Sequence, residues 1–251
     1  MIVAAAICPC PPLLVRELTG QTEVLPELRA ACAAAVGFLC AAAPDVVVVA
    51  GPDEQTASWD PGDRLDLTAF APGPRGTAPG PRGGSGAPAA LPLSLGIGAR
   101  LLDEAGYPGP RAVHGIAALA APDDCLRLGR QVALSAPRVA LLAMGDGSAR
   151  RSVSAPGYLD ERAAPFDAGV ERAVRDADLA ALAALDPALA ADLMAVGRPA
   201  WQVLAAALSA VGPQDGTGAA EGLPPGPLRT EVLYCDAPFG VGYLVATLAP
   251  R

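Results

Sequence analysis

The stretch MIVAAAICPCPPLL, residues 1–14, opens with an apolar run from Ile2 to Ile7 and breaks at Pro9, Pro11 and Pro12. The run reads as a buried strand. Proline has no N–H and a fixed φ, so the ladder cannot continue through it. The chain is forced into a stiff loop at the strand's carboxyl end, the edge where open α/β sheets bind ligands. Cys8 and Cys10 are carried there one residue apart.

Downstream segments repeat the pattern. Leu25, Leu28, Cys32, Val36 and Leu39 recur at helical spacing within residues 23–43, and Val46–Ala50 is a β-branched run suited to a strand buried on both faces. Gly51-Pro52-Asp53 is expected to end that strand. Helices are expected over 93–105 and 122–135, with strands over 112–117 and 139–144. The second strand runs into Gly145-Asp146-Gly147-Ser148. Four helices then start near Pro165, Leu179, Pro187 and Pro199, and strands over 230–236 and 241–248 close the chain. Alternating strands and helices with a closing strand pair predict one layered α/β/α domain over 1–251. Its central sheet should be mixed and mostly parallel. The Pro-, Gly- and Ala-rich stretch 72–92 reads as a flexible surface loop.

Composition narrows function by exclusion. Of 251 residues 52% are hydrophobic and only 4% aromatic, so the core must be built from Ala, Val and Leu. All 18 basic residues are arginine, which rules out lysine Schiff-base chemistry and a P-loop lysine. A net charge of −8 without a basic cluster argues against nucleic acid. No apolar run is long enough to span a bilayer, and no basic region precedes the first strand. A cytoplasmic protein with reduced thiols is expected.

Five pieces carry a resemblance: the Cys8–Leu14 loop, Val49-Ala-Gly-Pro-Asp53, Gly145-Asp-Gly-Ser148, Pro165-Phe-Asp167 and Ala237-Pro-Phe-Gly-Val-Gly-Tyr243. In this order the chain resembles the class III extradiol ring-cleavage dioxygenases, the family of the protocatechuate 4,5-dioxygenase β subunit and the Memo-like proteins. The resemblance implies Fe(II) held by two histidines and a carboxylate, a further histidine as acid/base, and a homodimer. This chain has a single histidine, His114, so that constellation cannot be assembled. The family's ligand places are taken by Cys10, by Asp53 or its neighbour, and by Ala149.

Two readings stay open. In one, a rebuilt metal site uses Cys10, Asp53 and Asp236, with Glu231 as a substitute for Asp236. Zinc, or no metal, is then favoured over Fe(II). Asp146 and Ser148 would position a substrate, and the amides of the Gly-rich turn, helped by Arg150 and Arg151, could hold an anion. In the other, the protein is a non-catalytic binder of a small molecule or partner in a cleft at the strand carboxyl ends. His114 reads as structural, and Trp201 and Phe166 as core.

Overall fold

A computed structural model describes residues 1–20, 23–65, 90–210 and 227–251. Most of the proposed loop 72–92 lies outside these residues. The strands are β1 (Ile2–Cys8), β2 (Val46–Asp53), β3 (Ala57–Trp59), β4 (Arg64–Leu65), β5 (Ala90–Leu91), β6 (Arg111–Ala117), β7 (Val139–Met144), β8 (Leu228–Asp236) and β9 (Tyr243–Pro250). The helices are α1 (Arg16–Thr19), α2 (Pro26–Ala41), α3 (Leu93–Glu104), α4 (Pro122–Ala133), α5 (Ala163–Arg175), α6 (Leu179–Ala183), α7 (Pro187–Asp192) and α8 (Arg198–Ser209).

Seven strands form one sheet in the order β3-β6-β2-β7-β1-β9-β8. β6, β2, β7 and β1 are mutually parallel, while β3, β9 and β8 pair antiparallel. The fold is therefore α/β, with a mixed, mostly parallel sheet between helical layers. β1 shows why both faces are covered. A register irregularity near its start lets Ile2, Ala5 and Ile7 join the cluster under α4, α5 and α8, and Ala4, Ala6 and Cys8 join the cluster under α2 and α3. All six are fully buried, as a strand inside a sheet covered by helices on both faces requires.

β2 runs further than its sequence suggests. Pairing with β7 stops at Ala50, but pairing with β6 continues through Gly51, Pro52 and Asp53. Past Ala50 the strand has a partner on one side only, where a proline is tolerated. Among the helices, α6 and α7 are short and locally capped, Asp178 accepting from Ala181 N–H (2.9 Å) and Asp186 from Ala188 N–H (2.8 Å). Longer α8 is buried along nearly its whole length, Trp201 included. No described helix is long and apolar enough to cross a membrane.

Candidate functional site: a cleft at the carboxyl edge of the sheet

The parallel strands β1 and β7, with β8 and the start of β9, bring their ends to one edge of the sheet. The Gly145–Ser148 turn is the hub there. Gly145 N–H donates to Cys8 O (2.9 Å), extending the β1 ladder, and Gly147 N–H donates to Gly242 O (2.7 Å). Gly197 N–H, at the start of α8, donates to Asp146 O (2.9 Å). Gly145 adopts φ 152°, and a Cβ there would lie 2.4 Å from Gly197 Cα, so only glycine fits.

The side chains divide into two groups around this turn. Asp146 points toward β1 and accepts from Cys10 N–H at 2.7 Å. Burial pushes its pKa up to about 6, only partly opposed by the hydrogen bonds from Cys10. The Cys10 thiol is itself driven well upward, first by burial and then by the Asp146 charge. A buried thiol beside a carboxylate is poor in thiolate, the form that binds metal.

On the other side, Asp167 of α5 has both oxygens engaged. Oδ1 accepts from Ser148 N–H (2.8 Å), and Oδ2 accepts from Ser148 Oγ (2.7 Å) and Arg151 Nη1 (3.0 Å). A cleft of about 180 Å³ opens beyond it, between α5 and the starts of α8 and β9. Asp167, Glu171, Arg151, Asp236, Tyr243 and Trp201 supply its chemistry, and Gly147, Ala164, Ala168 and Gly242 leave it room. Cys235 lies on the same wall, its thiol pushed up to about 12 by burial and then by Glu171. Trp201 is almost wholly buried, and its Nε1–H has no partner among the described residues. An unmet buried donor costs about 1–3 kcal/mol.

The expected site residues are thus placed apart. Cys10 and Asp146 touch each other but are not among the residues that line the cleft. Ser148 is fully buried and serves Asp167, so its hydroxyl is not presented to a guest. Asp53 accepts from Trp59 Nε1 (2.9 Å) and Glu54 N–H (2.6 Å) and packs over Gly115 of β6, holding β3 to the sheet. Asp236 lines the cleft at the end of β8, whereas exposed Glu231 lies mid-strand opposite Thr247. Among the described residues no group of three or more His, Cys, Asp or Glu side chains could hold a metal ion. The donors present do not fit the Fe(II) that the family resemblance implies, nor do Cys10, Asp53 and Asp236 gather for zinc.

The anion-holding turn is corrected as well. Three of its four amides, at Gly145, Gly147 and Ser148, are spent on Cys8 O, Gly242 O and Asp167, and Arg151 is paired to the same carboxylate. His114 sits in β6 with Nδ1 3.1 Å from Ser58 Oγ across the β3 pairing, and burial lowers its pKa. Sequence reasoning assigned no site role to Asp167 or Glu171 and read Trp201 as core, where it is buried while also lining the cleft. Asp167 stood in the Pro165-Phe-Asp167 piece, and with Glu171 it forms an i, i+4 carboxylate pair on one face of α5.

No protein-family model matches the chain, and no curated protein matches it. Among solved structures it is similar to the uncharacterized protein JW3007 from Escherichia coli K12. The two are 14% identical, the likeness covers 98% of this chain and 99% of that one, and the TM-score is 0.54. At that identity the likeness shows a shared fold.

Proposed function

We propose that the protein binds a small polar molecule in the α5 cleft, as a non-catalytic relative of the extradiol dioxygenase fold, and works in the reducing cytoplasm. The observation that carries this reading is the division at the Gly145–Ser148 turn. The polar groups that face open space belong to the cleft, whereas Cys10 and Asp146 are turned inward and tied to each other. A concave site with a few convergent polar groups at a sheet's carboxyl edge is the usual host for a small ligand. Metal-centred ring cleavage finds no support in the donor set.

A thermal-shift screen of small polar molecules tests the proposal, run on the wild type and on Ala168→Trp. Ala168 is an exposed wall residue, so an indole there fills the cleft without disturbing the core. Compounds that raise the wild-type Tm are expected to lose their effect in Ala168→Trp. Compounds that stabilise both proteins equally would place the binding elsewhere.

A further inference from the structure

The charged groups of the cleft are unevenly spent, and this narrows the ligand class, provided the cleft is the binding site proposed above. Its lining holds one cation, Arg151, against three carboxylates, Asp167, Glu171 and Asp236. Arg151 is bonded to Asp167, whose two oxygens are also taken by Ser148. Asp236 has no arginine partner among the described residues; its Oδ1 accepts only from Ala237 N–H (2.7 Å), leaving Oδ2 open. Glu171 is met by Arg175 at Oε1 and by the Cys235 thiol, and Arg175 does not line the cleft.

The inner wall adds a second, independent mark. Trp201 offers an aromatic surface of the kind that attracts cations. An anion would meet unpaired carboxylate, and the Gly145, Gly147 and Ser148 amides of the adjoining turn are already engaged. We infer that the cleft selects an organic cation, a primary ammonium or guanidinium on a short body, seated against Asp236 and Glu171 with Trp201 behind it. The small Gly and Ala walls limit that body to what about 180 Å³ admits.

Cys235 makes the field measurable, being the one exposed cysteine and a cleft residue. In a Cys40→Ser background, which removes the half-buried thiol, the protein is treated with trimethylammonioethyl or sulfonatoethyl methanethiosulfonate. The Cys235 thiolate attacks the sulfenyl sulfur, expels methanesulfinate and forms a mixed disulfide. With rates normalised to 2-mercaptoethanol, the cationic reagent should win by on the order of tenfold, and Asp236→Asn should cut that preference several-fold. Benzylammonium should protect Cys235 from neutral methyl methanethiosulfonate, and benzoate should not. Protection by benzoate but not benzylammonium would overturn the cation assignment and leave the cleft reading intact. A normalised ratio near one with no protection by either compound would overturn both.

Discussion

Asp146 is the residue with the clearest thermodynamic signature. Its folded pKa of about 6 lies above the ordinary 3.8, so in that window the native state keeps a proton that the unfolded chain has released. Stability therefore falls as pH rises from about 4 through 6, by about 3 kcal/mol from this group. Asp146→Asn keeps an acceptor for Cys10 N–H and cannot titrate. Urea titrations from pH 4 to 7 should show the wild type losing stability relative to this variant across that window. Parallel curves would mean that Asp146 does not titrate there. Ser148 gives a second prediction. Removing its hydroxyl in Ser148→Ala takes one charge-assisted hydrogen bond from Asp167 and should cost about 1.5–3 kcal/mol in denaturant titration. Both residues stood out in the sequence because a Gly-rich turn directly follows a buried strand there and its amides could hold an anion. Their partners did not stand out, since the contacts that turn Asp146 toward Cys10 and Ser148 toward Asp167 span 136 and 19 positions.

Helix α8 shows what holds the elements in place around the site. It meets α4 where Gly129 has no side chain, since a Cβ there would lie 2.3 Å from Val203 O. Backbone cannot yield as a flexible side chain can, so Gly129→Ala should destabilise the fold by about 1–3 kcal/mol, read as a lower urea midpoint at unchanged slope. At its other end, buried Arg198 donates to Ala118 O (2.8 Å) and Ala120 O (2.7 Å), securing the β6–α4 loop, and Gln202 donates to Ala183 O at the end of α6 and to Leu185 O just after it. Most elements were legible from periodicity: β7 falls on its expected residues, and α3 and α4 within two of their expected ends. The misses are short or one-sided. β3 has three residues and is held by the Asp53–Trp59 contact rather than by its own pattern, and Pro52 concealed the extension of β2.

For the whole molecule, an Ala- and Ile-rich strand cut short by prolines was enough to point to the edge where the cleft opens, because the carboxyl ends of β1, β7 and β8 converge there. Which side of that edge opens was not legible, since it depends on α5 standing off from β8 and β9 across Gly147 and Gly242. A Cβ on either glycine would run into Asp167, at 2.8 and 2.5 Å. The resemblance drew attention to Cys10, Asp53 and Asp236 as one set. The fold distributes them to the core, to the β3 junction and to the cleft wall. The central claim, that guests enter the α5 cleft and not a centre built on Cys10, is tested most directly by soaking crystals with a cocktail of small polar fragments and aqueous zinc. The account predicts fragment density between Asp167, Glu171 and Trp201 and no metal bound to Cys10. Zinc bound at Cys10 with an empty α5 cleft would contradict it.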